Sequence, residues 1–351
     1  MKSFIVKSVL IVCLTICCLF YLDIMYEQKT SDPIAEVNKF NFVPEGIQIA
    51  NLGSSHGDAA FNWDSLIKER NFKCFNFALA SQPYKYDYAL LNMYQDDFAE
   101  GGIVFIPVSY FSFNSEAVTP EDIEAISVRY YRILSPQYNP DYSLYKDLVA
   151  IRFPILSAGD KIFELFQPPI TFPSLSANRQ NVVYAAEINI EDSGTALSSD
   201  NIPDTPPSPA SPEEIYGAEK VQDFESKGYS RYQRHFENKT NYFQEDKKQE
   251  LIDIIQLCKS KKVTPVLITT PFTVYYNQYV SDQFLYDFYT TVNEIAAALG
   301  VSYYDYSHDE RFETNLQYFG DADHLNPEGA IYFTNLLMEE IPELSAYLAT
   351  H

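Results

Sequence analysis

The sequence has few basic residues for its size, and this deficit excludes one large class of partners. It contains 25 lysines and arginines against 48 aspartates and glutamates, which gives a formal net charge of -23 over 351 residues. Such a charge repels the phosphate backbone of nucleic acid and provides no basic stripe along which a strand could bind. We therefore expect no nucleic-acid partner, and the acidity favours solubility over a dedicated cationic partner.

Cysteine is also scarce, and three of the five cysteines fall in an apolar run near the N-terminus. The remaining two, Cys74 and Cys258, do not have the spacing of a metal-binding cluster and have apolar neighbours. This context predicts buried free thiols, although an oxidising compartment would also permit a disulfide. The sequence contains no phosphate-binding loop or dinucleotide fingerprint. We expect neither a metal nor a cofactor.

The N-terminal run from Ser8 to Leu22 has no charged residue and is bounded by Lys7 and Asp23. With the three apolar residues before Lys7, it approaches the ~20 residues that cross a hydrocarbon core of ~30 Å. The lysines at positions 2 and 7 place the N-terminal flank inside and the remainder of the chain outside. The run predicts a single membrane-spanning helix.

A cleaved signal peptide is the alternative to a retained anchor. The residues that follow the apolar run, Tyr21 to Tyr26, lack the small-x-small pattern that a signal peptidase requires. We therefore predict a retained anchor over residues 1–26 and a juxtamembrane linker over residues 27–44. The rest of the chain is expected at the extracytoplasmic face of a cell membrane.

Beyond the linker, short apolar runs alternate with stretches of helical periodicity. Five runs have the length and composition of buried strands, at residues 47–52, 73–78, 101–108, 263–269 and 301–305. Helical stretches of about ten residues or more separate them, which implies parallel crossover connections. The pattern predicts one α/β domain over residues 45–351, with a parallel sheet of about five strands between two helical layers.

The segment over about residues 111–242 does not continue this alternation of strands and helices. It contains a helical stretch at 120–133 and a proline- and serine-rich acidic piece at 198–214, in which five prolines argue against regular structure. We interpret the segment as a partly helical insertion over the carboxyl edge of the sheet.

The turn from Gly53 to Gly57 lies where chemistry is expected in such a fold, at the carboxyl end of the first strand. Ser55 would begin the following helix, with nearby backbone amides directed at a developing oxyanion. A plain turn with a serine cap is an equally simple reading of this segment.

A nucleophilic serine requires a base, and His324 is the best placed of five histidines. Asn326 is a suitable cap and Pro327 a suitable first residue for the last helix, so His324 precedes that helix. Asp321, three residues earlier on a tight turn, can accept a hydrogen bond from one imidazole nitrogen and leave the other for serine. Asp323 is expected to point to solvent.

These two motifs resemble those of the SGNH (GDSL-like) hydrolase superfamily, whose serine block follows the first strand and whose Asp-x-x-His block precedes the last helix. The resemblance implies a three-layer, flavodoxin-like sheet. It also implies that Ser55 is the nucleophile, Asp321 the orienting acid and His324 the base.

The resemblance further implies three oxyanion donors, and the sequence departs from the superfamily at two of them. The amide of Ser55 is the first. Where the superfamily has a glycine after the second strand, this chain offers Ala80 or Ser81, and Ser109 stands in place of an asparagine after the third strand.

An N-terminal anchor before such a domain is similar to the envelope branch of the superfamily, which includes polysaccharide O-acetyltransferases and esterases and the D-alanine-transfer protein of teichoic-acid modification. The resemblance implies acyl transfer between an acyl donor and a polysaccharide or polyol hydroxyl, with a multi-spanning acyltransferase as a further candidate partner. Substrate contacts are expected from His56, Asn76, Tyr84 and Tyr110. A binding or assembly protein that keeps the fold with weak catalysis is the alternative.

Overall fold

The computed structural model describes residues 2–30, 35–114, 120–148 and 211–351. Helix α1 (Lys2–Thr30) belongs to a separate unit from the sheet domain. Its segment Ser3–Leu22 has a mean hydropathy of 2.5 and no buried residues. Within the described ranges, it is the one helix long and apolar enough to cross a membrane, as a membrane anchor or a signal sequence would be.

The second unit is built on a five-stranded sheet in which every strand pairing is parallel. The strands are β1 (Ile47–Asn51), β2 (Cys74–Asn76), β3 (Phe98–Pro107), β4 (Thr264–Thr269) and β5 (Ser302–Asp305). Their order in the sheet, β2-β1-β3-β4-β5, is the flavodoxin-like order, in which the crossovers reverse direction beside β1 and β3. The predicted α/β class with five parallel strands is therefore confirmed.

The connections between the strands are mostly helical. In chain order the helices are α2 (Ala35–Asn38), α3 (Ser55–Ala60), α4 (Asp64–Arg70), α5 (Tyr84–Met93), α6 (Pro120–Ile133), α7 (Leu144–Lys146), α8 (Pro212–Tyr216), α9 (Ala218–Phe236), α10 (Glu245–Ser260), α11 (Val274–Asn277), α12 (Asp282–Leu299), α13 (Glu310–Glu313), α14 (Pro327–Glu340) and α15 (Pro342–Thr350). Short 3-10 turns lie at Lys39–Phe42 and Leu316–Tyr318.

Two hydrophobic cores cover the two faces of the sheet, because successive strand side chains point to opposite sides. On β3, Val104 and Ile106 pack into one core with α5, α10 and α12. Ile103 and Phe105 pack into the other core with α4, α14 and α15. The helices therefore form a layer on each face, and both cores keep the sheet rigid beneath its carboxyl edge.

The two cysteines outside the N-terminal run lie in different cores. Cys258 belongs to the core that contains α10, and Cys74 belongs to the core that contains α4. Both are buried free thiols, as predicted from their apolar neighbours. The sheet between the two cores explains why they do not pair.

The structure departs from the sequence predictions in two places that matter for the site. Helix α5 ends at Met93 and β3 already begins at Phe98, three residues before the predicted start of this strand at residue 101. Pro212 begins helix α8, which corrects the prediction that this proline precludes regular structure. A proline at the first position of a helix loses no intrahelical hydrogen bond. The rest of the proline-rich piece, residues 198–210, lies outside the described residues.

Candidate active site

The turn after β1 is held by a glycine and a buried carboxylate. Gly53 has a φ of 111°, and a Cβ there would lie 3.0 Å from Pro107 Cγ, so the turn favours glycine both by conformation and by space. The Gly53 amide donates a 2.7 Å hydrogen bond to Asp87 Oδ1 on α5. These constraints fix the position of Ser55, which begins α3 two residues later.

Asn51 braces the same turn from the end of β1. Its side-chain amide donates to the Gly57 carbonyl at 3.0 Å and to Asn76 Oδ1 at 2.9 Å, and its Oδ1 accepts from Trp63 Nε1 at 2.9 Å. Asn51 is fully buried, so these hydrogen bonds satisfy polar atoms that would otherwise be costly to bury. Asn76 therefore supports the loop that carries Ser55.

The second functional loop is folded around the carboxylate of Asp321. Its Oδ1 accepts the backbone amides of Asp323 at 3.1 Å and His324 at 3.0 Å. Asn326 caps α14 by accepting the Gly329 amide at 2.9 Å, and Pro327 is the first residue of that helix, as predicted. The His324 side chain is thereby held in place immediately before α14.

The two loops meet although Ser55 and His324 are 269 residues apart in the chain. His324 Nε2 lies 2.8 Å from Ser55 Oγ, and its Nδ1 lies 2.9 Å from Asp321 Oδ1. Because an ionised carboxylate can only accept, Nδ1 carries a proton and Nε2 of the neutral ring can accept the serine hydroxyl. This is the order of contacts that allows a histidine to activate a serine.

Asp323 is a buried part of this cluster, which corrects the expectation that it points to solvent. Its side chain is fully buried, with Oδ1 3.0 Å from His324 Nδ1 and Oδ2 3.2 Å from His56 Nε2. Burial alone would raise its pKa, but the positive charge of His324 holds that pKa well below its usual range. Two carboxylates therefore face the same edge of the His324 ring.

His56 contacts Asp323 with one ring nitrogen and forms a hydrogen bond to Ser109 with the other. Its Nε2 faces the carboxylate, so its Nδ1 accepts the Ser109 hydroxyl at 2.7 Å. Burial lowers the pKa of His56 despite the nearby carboxylate, which keeps the ring neutral. Ser109 Oγ is thus engaged by His56.

Arg231 on α9 completes the cluster. Its Nη2 donates to Asp321 Oδ2 at 2.7 Å, and its Nε lies 3.1 Å from Asp323 Oδ1. Helix α9 reaches this position because Gly228 packs against the backbone of Tyr275, where a Cβ would lie 2.0 Å from the carbonyl oxygen. One positive side chain therefore balances two carboxylates beside the His324 ring.

The charged side chains around His324 determine its protonation state. Burial lowers its pKa, but the charge of Asp323 and the hydrogen bond to Asp321 outweigh burial and raise the pKa to about 9. The reciprocal interaction with His324 lowers the pKa of Asp321 below its usual value, although burial acts in the opposite direction. The imidazole is mainly protonated at neutral pH and becomes an effective base at alkaline pH.

A cavity of about 210 Å³ opens beside Ser55 and His324. Its walls come from the turn after β1, the start of α5, the segment after β3, and α9. Aromatic side chains such as Tyr84 and Phe111 line it together with the basic side chains Arg231 and Lys247. A small group attached to an ester carbonyl at Ser55 would enter this space.

Three of the additional residues predicted from the sequence line the cavity. They are His56, Ser81 and Tyr84, and the Tyr84 hydroxyl donates to the Pro107 carbonyl at 3.1 Å. Ser81 has a φ of 56°, a left-handed conformation that glycine adopts more readily than other residues. Of the two predicted residues Ala80 and Ser81, Ser81 is thus the one whose backbone has the conformation that glycine favours.

The structure does not bring four other predicted residues to the cavity wall. The Ala80 carbonyl accepts Arg129 Nη2 at 2.5 Å, and the hydroxyl of Ser109 donates to His56. Asn76 braces the turn described above. Tyr110 is fully buried, with its ring edge against Phe272.

Sequence reasoning missed Arg231, Asp323 and Asp87. The sequence does contain a pattern that indicates Arg231. Gly228, Arg231 and His235 are spaced three and four residues apart and share one face of a helix. That pattern indicates a helix that packs closely at the glycine and presents two polar side chains to a site. Neither aspartate has a comparable local signal.

His56, Asp323 and His324 also form a group whose potential metal-ligand atoms all lie within 4.8 Å of one another. The atoms are already paired: Asp323 Oδ2 with His56, and both His324 nitrogens with Asp321 and Ser55. A metal ion would have to displace the hydrogen bonds that orient the His324 ring. The donor set fits a proton relay better than a metal site.

Comparisons with known proteins identify neither a family nor an activity. No family model matches the chain, and no curated protein matches it. Solved structures similar to it include a Bacteroides fragilis protein provisionally described as an acylhydrolase, with 10% sequence identity and a TM-score of 0.38. That similarity covers 91% of this chain and 98% of the other. Neither value identifies an activity, so the function rests on the residues of this chain.

Proposed function

We propose that the chain is a serine-dependent acyl hydrolase or acyltransferase of SGNH type that acts on an O-acyl ester. The observation that carries the proposal is the continuous hydrogen-bonded series from Ser55 through His324 to Asp321. A serine hydroxyl becomes an effective nucleophile when a neighbouring base takes its proton, and an oriented imidazole is the usual base.

The reaction would proceed through an ester on Ser55. Ser55 Oγ attacks the acyl carbonyl while His324 Nε2 takes the hydroxyl proton, and a tetrahedral oxyanion forms. When that intermediate collapses, the bond to the leaving alcohol breaks and the alcohol oxygen receives the proton from His324. Water or an acceptor hydroxyl then attacks the acyl-enzyme by the same steps and regenerates Ser55.

Two backbone amides are suitable donors to the oxyanion. The first is that of Ser55, because the first amides of a helix have no partner within the helix. The second is that of Ser81, which lines the cavity in the conformation that glycine favours. Gly53 does not contribute, since its amide is bound to Asp87. Donors at these positions stabilise charge that develops in the transition state.

The proposed setting is the outer face of a cell membrane, where helix α1 would anchor the domain. The length and hydropathy of Ser3–Leu22 support this placement, and the lysines at positions 2 and 7 favour an inside N-terminus. An extracytoplasmic esterase or acyltransferase would meet envelope polysaccharides or polyols as acceptors. A multi-spanning acyltransferase would be the donor-side partner for a transfer reaction.

A fluorophosphonate probe tests the proposal directly, because it forms a covalent bond with an activated serine. Wild-type protein should be labelled, and Ser55→Ala should not. Ser226→Ala is a control, since Ser226 lies at an exposed position of α9 outside the cavity wall, and it should leave labelling intact. Equal labelling of wild type and Ser55→Ala would contradict the proposal.

One observation favours a second function, that of a binding or assembly protein with weak catalysis. The raised pKa of His324, at about 9, leaves only a small neutral fraction at pH 7. Labelling that is absent both at pH 7.5 and at pH 9.5 would support this second function. Labelling that appears only at the higher pH supports the enzyme.

A further inference from the structure

Asp87 is a buried carboxyl group beside the proposed nucleophile, and the triad does not use it. Its side chain is fully buried on α5 and forms part of the wall of the 210 Å³ cavity that also contains Ser55. Its Oδ1 accepts the Gly53 amide at 2.7 Å and Gln82 Nε2 at 2.6 Å. One oxygen therefore accounts for all of its structural hydrogen bonds.

The other oxygen, Oδ2, has no hydrogen-bond partner among the residues that the structure describes. Leaving a buried polar atom unpaired is costly, and such atoms are uncommon in folded proteins. Bracing the Gly53 turn requires Oδ1 only, since Gln82 is itself held by the Tyr130 hydroxyl at 2.6 Å. Oδ2 is therefore an unpaired acceptor on a residue of the cavity wall.

The charges of the cavity wall determine which chemical groups could bind to Oδ2. Lys85, Arg231, Arg234 and Lys247 line the same space, and their positive charges disfavour an ammonium group. Burial raises the pKa of Asp87 to about 7, so both its ionised and its protonated forms occur near neutrality. A hydroxyl group can donate to the ionised carboxylate and accept from the protonated acid, and so it fits both forms.

The size of the cavity limits the ligand further. A cavity of about 150 Å³ accommodates benzene, with its six carbon atoms. By that scale 210 Å³ accommodates a group of roughly eight non-hydrogen atoms. This volume fits a short acyl group or a small polyol, and a longer chain would extend beyond it through the open side of the cavity.

We propose that Asp87 Oδ2 is a specificity-determining group that binds a hydroxyl on the small part of the ester substrate that occupies this cavity. The hydroxyl belongs to the acyl part or to the alcohol part of the ester. The proposal rests on the proposed ester chemistry at Ser55, but it concerns selectivity, which is measured separately from activity.

Pairs of esters that differ only by a hydroxyl in place of a methyl group test it. The acyl pair is 4-nitrophenyl 3-hydroxybutyrate and 4-nitrophenyl 3-methylbutyrate, and the alcohol pair is 2-hydroxyethyl acetate and propyl acetate. Wild-type protein should favour the hydroxyl member of one pair by about tenfold or more in kcat/KM, because the methyl member leaves Oδ2 unpaired. The pair that shows the preference identifies which part of the ester enters the cavity.

Two substitutions assign the preference to Asp87. In Asp87→Leu the ratio within the preferred pair should fall to about one, whatever happens to the absolute rate. Asp87→Asn keeps an oxygen for Gly53 and an amide that can donate to a hydroxyl, so its ratio should be intermediate. Asp96→Asn, at an exposed carboxylate, is the matched control and should keep the wild-type ratio.

Failure of this proposal and failure of the ester chemistry give different results. Ratios near one in both wild-type pairs, with normal turnover, would overturn the role of Asp87 and leave the enzyme intact. If no ester is turned over, ligand-observed NMR on Ser55→Ala compares binding of the corresponding two acids and two alcohols. Tighter binding of a hydroxyl member that Asp87→Leu abolishes supports the proposal, and equal binding overturns it.

Discussion

Arg231 Nη2 lies 2.7 Å from Asp321 Oδ2, so a helix that precedes β4 contacts the carboxylate that orients His324. The same side chain is 3.1 Å from Asp323 Oδ1 and 3.3 Å from His324 Nδ1. A cation at this distance offsets the two carboxylates and opposes protonation of the imidazole. The segment between β3 and β4 thus influences the base at the site.

Replacing Arg231 should move the pH dependence of the site. In Arg231→Met the carboxylates are no longer balanced, so the pKa of His324 should rise by about one unit. The rate of fluorophosphonate labelling at pH 7.5 should then fall about tenfold, and its rise should shift to higher pH. Arg231→Lys keeps the charge and should restore much of the rate. An unchanged pH profile in Arg231→Met would show that the arginine has no influence on the base.

The close contact at Gly228 gives a test that substitutes no polar residue of the site. In Gly228→Ala the new Cβ would lie 2.0 Å from the Tyr275 carbonyl oxygen, so α9 must move away. Overpacking of this kind should lower the free energy of unfolding by about 1–3 kcal/mol. Labelling of Ser55 should fall in parallel, because Arg231 moves with the helix.

Ser226→Ala, at an exposed position of the same helix, is the control for that experiment. It should leave both the unfolding midpoint in denaturant and the labelling rate unchanged. If Gly228→Ala behaves like this control, then α9 is not held against Tyr275 as the structure shows.

The raised pKa of His324 predicts an alkaline activity profile. The ring must be neutral to accept the Ser55 proton, and its pKa is raised to about 9. The labelling rate should therefore increase on the order of fiftyfold between pH 7 and pH 9, following the neutral fraction. His324→Ala should show a low rate without this rise. A wild-type rate that levels off near pH 7 would contradict the predicted shift.

The same shift has a consequence for stability with the opposite dependence on pH. A folded-state pKa above the usual 6.5 means that protonated His324 stabilises the fold. This contribution is fully present below pH 6.5 and is lost as the pH rises through about 9. The unfolding free energy from denaturant titrations should decrease over that range, and His324→Ala should reduce the decrease.

Substitutions in the triad should not have equal effects. Ser55→Ala and His324→Ala should each reduce turnover about 10⁴-fold or more, because the two groups act as a unit. Asp321→Asn should cost less, about 10²-fold, since Asp323 Oδ1 lies 3.0 Å from the same His324 nitrogen. Adding Asp323→Asn to Asp321→Asn should remove this second carboxylate and reduce turnover further.

That double variant needs a stability control, because Asp323 is fully buried. Circular dichroism melting will show whether the protein remains folded at the assay temperature. Turnover in Asp321→Asn as low as in Ser55→Ala, with the fold intact, would show that Asp323 cannot substitute for Asp321.

The main part of the fold could be predicted because its signals are local. Each strand is a short apolar run, and each crossover has helical periodicity, so the parallel sheet follows from the order of the elements. The position of Ser55 after β1 and that of His324 before α14 were read in the same way. Since carboxyl ends of parallel strands meet at one edge, their approach to 2.8 Å was predictable in outline.

The balance of charge around His324 could not be read from the sequence. Asp321 and Asp323 are both acidic residues in one short loop, and Asp323 was expected to point to solvent. Its burial depends on His56 and Arg231, which come from distant parts of the chain and pack on opposite sides of it. Asp87 appears in the sequence as an ordinary polar residue near the start of a helix.

The sequence by itself determined the parallel α/β architecture and the two loops that carry a hydroxyl and an imidazole. Their elements form from hydrophobic periodicity and capping, which depend on neighbours along the chain. The tertiary structure decided which carboxylates are buried, which cation balances them and which oxygen of Asp87 is left unpaired. Burial and charge balance arise from contacts between distant segments, and only the packed structure contains those contacts.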